Sequence, residues 1–192
     1  MASDAKGGRG RGDLVGAPSH SKGGVGWTRP EGIHLTLKFL GDIRESQIQP
    51  LQGVLTRAAA PARPFTLEAR GLGVFPTARA PRVLWIGLHG GPEELAVLRR
   101  LQAEVEEGAA ALGFQKEARP FTPHLTLARV RDRSAPGLDR LLEANRDRAV
   151  GTLTAASIGL IRSELRPAGP IYTTLVEVPF GVEYNRTLFE TT

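Results

Sequence analysis

Two short stretches of this sequence combine histidine and threonine in the same pattern. Residues 29–37 read Arg-Pro-x-x-x-His-Leu-Thr-Leu, and residues 119–127 repeat those six specified residues at the same spacing, 90 positions later. In an extended chain alternate side chains share a face, so each histidine lies beside its threonine while the leucines face the core. The repeat indicates two related halves. If the halves face each other, the cleft between them receives the imidazoles of His34 and His124 and two hydroxyls.

Two opposed imidazoles suit acid–base chemistry at a phosphate. The ordinary pKa of histidine is about 6.5, so near neutral pH one ring can take a proton from water while the other gives a proton to a leaving oxygen. The hydroxyls of Thr36 and Thr126 would bind the non-bridging oxygens as their charge grows. Arg129 could add a guanidinium at the strand's end, on the core-facing side if the strand runs straight. The residue types do not distinguish the acid from the base, and they require no metal.

Other interpretations of these residues are weaker. One motif alone is more typical of a half-exposed sheet face, but two copies inside a longer repeat favour a functional site. Catalytic zinc usually has three protein ligands. The two further histidines are His20, in a glycine-rich N-terminal segment, and His89, which precedes two glycines at a strand end and is expected on the surface. No Gly-x-Ser-x-Gly elbow is present for a serine nucleophile.

The composition places the motifs in one globular domain. The chain has 192 residues, 41% of them hydrophobic, which suffices for a single buried core. It has no Cys, which excludes disulfides, thiolate zinc sites and cysteine nucleophiles. No apolar run could span a bilayer and no signal peptide is evident, so we expect a soluble cytoplasmic protein. The net charge of +5 comes from 21 Arg and 4 Lys against 20 acids. A GC-rich genome accounts for that bias, unless the arginines cluster on one face to bind nucleic acid.

Strand and helix patterns interleave along the chain, which predicts an α+β fold. Residues 1–26 carry 8 of the 23 glycines without apolar periodicity, which predicts a disordered tail before a domain over residues 27–192. Predicted strands cover residues 32–39, 65–72, 82–88, 121–128, 153–161 and 171–178. Predicted helices cover residues 48–58, after a capping box of Ser46 and Gln49, then 92–112 and 137–148.

At this point the sequence resembles a known group of enzymes. Residues 27–41 and 119–129 are similar to the two His-x-Thr-x motifs of the two-histidine phosphoesterase superfamily, and most of all to bacterial and archaeal RNA 2′,3′-cyclic phosphodiesterases, also called 2′–5′ RNA ligases. Residues 71–76, 81–87 and 162–172 support the likeness. The resemblance implies a bilobal, pseudo-twofold-symmetric α+β fold with a central cleft between two antiparallel sheets.

The resemblance also implies an activity and a role for each motif residue. The activity is hydrolysis of RNA-terminal 2′,3′-cyclic phosphates to 2′-phosphates, reversible as 2′–5′ ligation, with no cofactor and no metal. His34 would be the proton donor, His124 the proton acceptor, and Thr36, Thr126 and Arg129 the phosphate ligands. The expected partners are RNA 3′ ends, such as those formed in tRNA processing, or nucleoside 2′,3′-cyclic phosphates, bound by a monomer away from membranes. Two alternatives stay open: a non-catalytic RNA-end binding module, and a phosphodiesterase of another small cyclic nucleotide.

One region departs from the family pattern. Family members open with an apolar strand and a helix before the first motif, and a glycine-rich segment takes their place here. We expect intact chemistry with reduced stability, since a missing strand would expose a sheet edge. Phe75 and Trp85 are candidates to stack on a base, although core packing is the more common role of such residues. Arg79 and Arg82 are candidates to contact the RNA backbone.

Overall fold

The computed structural model shows an α+β chain and describes residues 25–130, 137–166 and 169–181. In these residues the strands are β1 (Val25–Trp27), β2 (Phe65–Phe75), β3 (Val83–His89), β4 (His124–Val130), β5 (Ala149–Ala155), β6 (Ser157–Arg166) and β7 (Gly169–Pro179). The α-helices are α1 (Ile48–Ala59), α2 (Pro92–Ala111) and α3 (Leu138–Ala144), and short 3₁₀ turns cover Pro30–Gly32 and Glu45–Gln47. None of the described helices is long and apolar enough to cross a membrane.

The strands form two antiparallel sheets, as expected. Five strands make one sheet in the order β1-β4-β3-β2-β5, and β6 and β7 make a separate two-stranded hairpin. Helix α1 packs against the hairpin and against α2, and α2 contacts β2 of the larger sheet. The two helices therefore connect the two sheets. The strand of the second motif, β4, lies inside the larger sheet, between β1 and β3.

One hydrophobic core lies between the helices and the larger sheet. Its buried side chains include Leu51 and Leu55 of α1, Leu98, Leu101 and Val105 of α2, and Leu67, Ile86 and Leu125 of the sheet. Helix α2 has the predicted signals, with proline and two glutamates in its first turn and a left-handed glycine just beyond its end. The predicted cap of α1 is wrong. The Arg44 N–H donates to Oε1 of Gln47 at 2.8 Å, so the side-chain cap stabilises the preceding 3₁₀ turn and not the α-helix itself.

A β-bulge in β2 changes which side chains the strand buries. Gly71 is the extra residue in the pairing with β3. Before the bulge β2 buries odd-numbered positions such as Leu67, and after it the even-numbered Leu72 packs against the core. Gly73 and Phe75 therefore turn to the opposite face of the sheet. Gly71 has φ +73°, and a Cβ there would lie 2.6 Å from a backbone carbonyl oxygen, so the bulge needs glycine.

A second bulge acts in the same way in β4. Thr126 lies opposite Trp85, whereas Ala128 lies opposite Leu84, the residue before Trp85, which leaves Leu127 as the extra residue. Ala128 and its β3 partner are both buried in the core. Arg129, the residue after Ala128, is exposed and lies on the other face, which is the face of the second motif's histidine and threonine. The straight-strand prediction, which put Arg129 on the core side, is wrong because of this bulge.

The segment of the first motif is mostly not a strand, contrary to the prediction for residues 32–39. A 3₁₀ turn ends at Gly32, Leu35 alone bridges to Leu125, and the chain bends at Leu37. Its leucines still pack against the core, which explains the strand-like alternation in the sequence. The first motif and strand β1 lie along the same edge of β4. Strand β1 pairs with residues 128–130, so only the first part of that edge remains for the motif.

Several other boundaries also differ from the sequence prediction, for example the helix predicted over residues 137–148, which ends at Ala144. The single strand expected over residues 153–161 is two strands in different sheets, because β5 ends at Ala155 and β6 begins at Ser157. Hydrophobic alternation continues through such a change of sheet and does not reveal it. Residues 1–24 of the predicted tail lie outside the described residues. Val25 and Gly26, the last two residues of that predicted segment, belong to β1.

Candidate active site

The two motifs meet where Leu35 and Leu125 form an antiparallel bridge. Both leucines pack into the core. Antiparallel pairing reverses the order of the neighbours, so each motif's histidine stands across from the other motif's threonine on the face opposite to the leucines. The bridge is a local twofold axis between the motifs, and it brings His34 and His124 to one face.

The two imidazoles are diagonal neighbours across this bridge. Diagonal positions of an antiparallel pair are about 7–8 Å apart. This is a separation of backbone positions, and side chains at such positions on one face can reach a common group between them. The arrangement fits a group held between His34 and His124.

Each histidine is oriented by a carbonyl oxygen two residues earlier in the chain. Nδ1 of His34 lies 2.9 Å from the Gly32 oxygen, and Nδ1 of His124 lies 2.7 Å from the Thr122 oxygen. A carbonyl oxygen only accepts hydrogen bonds, so Nδ1 carries the proton in both rings. Nε2 is therefore the nitrogen that each neutral ring offers as a base and each protonated ring offers as an acid.

The surroundings of His34 distinguish it from its counterpart. The ring of Tyr172, from β7, stands edge-on to the imidazole with ring centres 4.8 Å apart at 77°. Burial lowers the pKa of His34 below its ordinary value, and the hydrogen bond to Gly32 opposes this only in part. His34 is thus mainly uncharged near neutral pH. An anion placed beside the ring would favour its protonated form.

His124 lies against two aromatic side chains. Its ring centre is 5.1 Å from that of Phe75, at 80°, and 5.9 Å from that of Trp85. Phe75 reaches this face because of the bulge in β2. The indole of Trp85 lies over Gly73, where a Cβ would come within 2.1 Å of the ring. Nε1 of Trp85 is buried and has no hydrogen-bond partner among the described residues.

The predicted phosphate ligands lie on the same face of the site. Thr36 and Thr126 are half-buried beside the bridge, and Arg129 is exposed further along β4. Within the part of the chain that the structure describes, neither threonine hydroxyl nor the Arg129 guanidinium has a hydrogen-bond or ion-pair partner. Two hydroxyl donors and one guanidinium therefore accompany the two imidazoles.

Lys38 does not share the face of His34 and Thr36, although strand alternation predicts that it does. Its ammonium donates to Oε1 of Glu106, on α2, at 2.6 Å and to the carbonyl oxygen of Gln115 at 2.8 Å. The Lys38 and Glu106 side chains are only 3% and 12% exposed. This buried ion pair ties the end of the first motif to α2 and to the segment that leads into the second motif.

One further histidine of the described residues, His89, lies near the site, since a Cβ at Gly87, the residue paired with His124, would lie 3.0 Å from its Nε2. His89 is exposed at the end of β3, as the sequence predicts. His20 lies outside the described residues. Across residues 25–130, 137–166 and 169–181 there is no cluster of three His, Asp or Glu side chains that could hold a metal ion.

Sequence reasoning assigned no role to Tyr172 or Gly73. Tyr172 ends the segment over residues 162–172 that resembles the family, and this was the available signal. Its contact with His34 depends on how the hairpin packs against the first motif, which sequence spacing does not show. Gly73 has the signal of an isolated glycine in a strand, which indicates a close approach of another group.

Comparisons with known proteins show the family to which the chain is related. A sequence model of LigT-like phosphoesterases matches residues 17–85 and 91–172, which include both motifs. A relative from Aeropyrum pernix named RNA 2′,3′-cyclic phosphodiesterase is 42% identical over 151 residues, covering 77% of this chain and 82% of the relative. A relative of the same name from Thermus thermophilus is 34% identical over 180 residues, covering 92% and 87%.

Solved structures show the same fold. A crystal structure of a Thermus thermophilus protein matches with a TM-score of 0.66 and 32% identity, covering 84% of this chain and 85% of that one. Escherichia coli LigT complexed with 3′-AMP matches with a TM-score of 0.62 and 25% identity, covering 80% of each chain. The two antiparallel sheets and the paired motifs define a two-histidine phosphoesterase fold. The chain belongs to the LigT-like phosphoesterases.

Proposed function

We propose that this protein hydrolyses the 2′,3′-cyclic phosphate at RNA 3′ ends and leaves a 2′-phosphate and a free 3′-hydroxyl. The observation that carries the proposal is the antiparallel bridge between Leu35 and Leu125. It gathers two imidazoles and two hydroxyls on one face, and a cyclic phosphodiester needs a base, an acid and donors for its non-bridging oxygens. The relatives named RNA 2′,3′-cyclic phosphodiesterase support the same substrate.

The reaction follows from two proton transfers on opposite sides of phosphorus. Nε2 of His124 removes a proton from water as the water oxygen bonds to phosphorus. The bond from phosphorus to the 3′ oxygen breaks, and Nε2–H of His34 protonates that oxygen. Each such transfer accelerates a reaction by about 10²–10⁴-fold, or about 3–5 kcal/mol of barrier. The same sequence, with a 5′-hydroxyl in place of water as the attacking group, joins two RNA ends through a 2′–5′ linkage.

The neighbouring donors stabilise the charge that grows on the phosphate. The hydroxyls of Thr36 and Thr126 and the guanidinium of Arg129 donate to the non-bridging oxygens. These groups have no other partner among the described residues, so binding the substrate breaks no hydrogen bond or ion pair that they make within that part of the chain. The aromatic pair Phe75 and Trp85 beside His124 offers a surface on which the terminal base could stack.

The assignment of roles follows the resemblance to the family, and the surroundings of His34 set a condition on it. Burial disfavours the charged form of His34 in the free protein and lowers its pKa, so this ring acts as the acid only if the negative charge of a bound cyclic phosphate restores its proton. In that case His34 gains its proton when the substrate arrives and is ready to act as the acid. His124 is the ring left to act as the base.

Hydrolysis of a nucleoside 2′,3′-cyclic phosphate in the presence of EDTA tests the proposal. We expect a nucleoside 2′-phosphate as the sole product, identified by chromatography against both regioisomers. His34→Ala and His124→Ala should each lower kcat by about 10²–10⁴-fold. The control is Arg99→Ala, which removes an exposed side chain of α2, on the core side of the sheet, and should leave kcat unchanged. Full activity of either motif variant, or a 3′-phosphate product, would overturn the mechanism.

A further inference from the structure

The loop between β2 and β3, residues 76–82, forms a pocket on the surface. The Arg82 N–H donates to the Phe75 oxygen at 2.7 Å, and the Ala80 N–H donates to the Thr77 oxygen at 3.2 Å, so the loop is a closed turn. Arg79, Ala80, Pro81 and Arg82 line an open pocket of about 250 Å³. Both arginine side chains are exposed.

This loop continues the site described above. Val83, the next residue after Arg82, lies opposite Arg129 in the sheet, and the Val130 N–H donates to the Arg82 oxygen at 2.9 Å. The other end of the loop follows Phe75, whose ring contacts His124. The chain thus runs from Phe75, beside His124, through the pocket in the loop to Val83, which lies opposite Arg129.

The charge around the loop has one sign. Residues 71–92 contain Arg79, Arg82 and no Asp or Glu, and residues 120–131 also contain two Arg and no acid. In the described part of the chain, Arg79 and Arg82 have no ion-pair partner. Arg146 and Arg166, by contrast, are paired with glutamates. Unpaired arginines beside an anion site indicate a second anion.

We propose that Arg79 and Arg82 bind backbone phosphates of the nucleotides that precede the cyclic end, so that the preferred substrate is a single-stranded RNA chain. The inference rests on the proposed function, which places the cyclic phosphate between the two imidazoles. Arginine forks bind phosphate in a bidentate manner. A basic track interleaved with aromatic rings is typical of sites for single-stranded nucleic acid, and here Phe75 and Trp85 lie between the loop and His124. The terminal base would meet the rings, and the next phosphates would meet the loop.

The test compares two substrates with the same terminal nucleoside. One is a nucleoside 2′,3′-cyclic phosphate, and the other is a short RNA oligonucleotide that ends in the same cyclic phosphate. For the wild type we expect a lower KM for the oligonucleotide. Arg79→Ala and Arg82→Ala should each raise the oligonucleotide KM several-fold and leave kcat and KM for the mononucleotide unchanged. Arg99→Ala is the matched control, since Arg99 is an exposed arginine on α2, on the core side of the sheet.

Binding of a 5′-labelled oligonucleotide to the His124→Ala protein gives a readout that does not depend on turnover. Each phosphate contact that is lost should flatten the plot of log affinity against log salt by about 0.7. An unchanged salt slope, an equal effect of Arg99→Ala, or an equal KM increase for both substrates would overturn the backbone site. Failure of the wild type to hydrolyse either substrate would instead overturn the proposed function, while the binding assay would still test the arginines.

Discussion

Replacing Lys38 with methionine leaves a buried carboxylate without its cation. The Lys38 ammonium lies 2.6 Å from Oε1 of Glu106, and the two side chains are 3% and 12% exposed. After the substitution that oxygen keeps only the Glu117 N–H, at 2.9 Å. Oε2 of Glu106 already has no partner among the described residues. Methionine fills a similar volume, so the effect comes from the uncompensated charge and not from a cavity.

The expected cost is large for a single substitution. Breaking a buried pair by removing one partner costs about 3–5 kcal/mol of the free energy of unfolding. For a chain of this length each kcal/mol lowers Tm by about 2–4 °C, so Tm should fall by about 6–20 °C. The first motif is also released from α2, and kcat should fall at temperatures where the variant is folded. Adding Glu106→Gln removes the buried charge but keeps an acceptor for the Glu117 N–H, so the double variant should recover part of the stability.

The same helix offers a matched control for the assay. Lys116 and Glu107 are also 2.6 Å apart, but their side chains are 55% and 68% exposed. Lys116→Met should cost at most about 1 kcal/mol, because water screens an exposed pair. Denaturant unfolding of the wild type and the three variants measures the difference. If Lys38→Met costs no more than Lys116→Met, or if the double variant is less stable than the single one, the reasoning from burial is wrong.

Three further predictions concern the imidazoles and their support. First, because burial lowers the pKa of His34, the unfolded chain binds a proton there that the folded chain does not, and the free energy of unfolding should fall as the pH drops below about 6.5. His34→Gln should remove this contribution in denaturant titrations, and an unchanged slope against pH would contradict it. Second, a p-nitrophenyl phosphodiester needs no acid for its leaving group, so His34→Ala should retain far more activity on it than His124→Ala. Equal losses of p-nitrophenol release in the two variants would refute the assigned roles. Third, Gly73→Ala brings a Cβ within 2.1 Å of the Trp85 ring and should cost about 1–3 kcal/mol of stability as well as lower kcat. The control is Gly53→Ala in helix α1, where an added Cβ would have no contact under 3.5 Å. This substitution should raise the free energy of unfolding by about 0.5–1 kcal/mol. Similar melting curves for the two variants would show that the indole does not constrain position 73.

Local patterns predicted most of the elements correctly. Helix α2 combines an apolar stripe, an initial proline and a terminal glycine, and these agree on the same boundaries. Alternation of His, Leu and Thr predicted which side chains of each motif face the core. Both kinds of signal depend only on neighbours within a few residues, so they can be recognised without knowledge of the tertiary structure.

The errors arise where tertiary contacts override a local period. The extra residue Leu127 moves Arg129 to the face of the motif, and no residue type in β4 signals that bulge. Lys38 follows the alternation of the first motif, but it turns towards Glu106, which lies 68 residues away in the chain. The contact of Tyr172 with His34 likewise joins the hairpin to the segment of the first motif. Contacts between residues so far apart in the chain depend on tertiary packing, and local patterns in a single sequence do not predict them.

The central claim is that two imidazoles flank one phosphorus atom, and a crystal structure with a bound nucleoside 2′-phosphate tests it most directly. We predict that Nε2 of His34 and Nε2 of His124 each lie within hydrogen-bond distance of oxygens on opposite sides of the phosphate, with Thr36, Thr126 and Arg129 donating to the others. A phosphate that contacts only one of the two rings, or that binds away from the bridge between the motifs, would contradict the account.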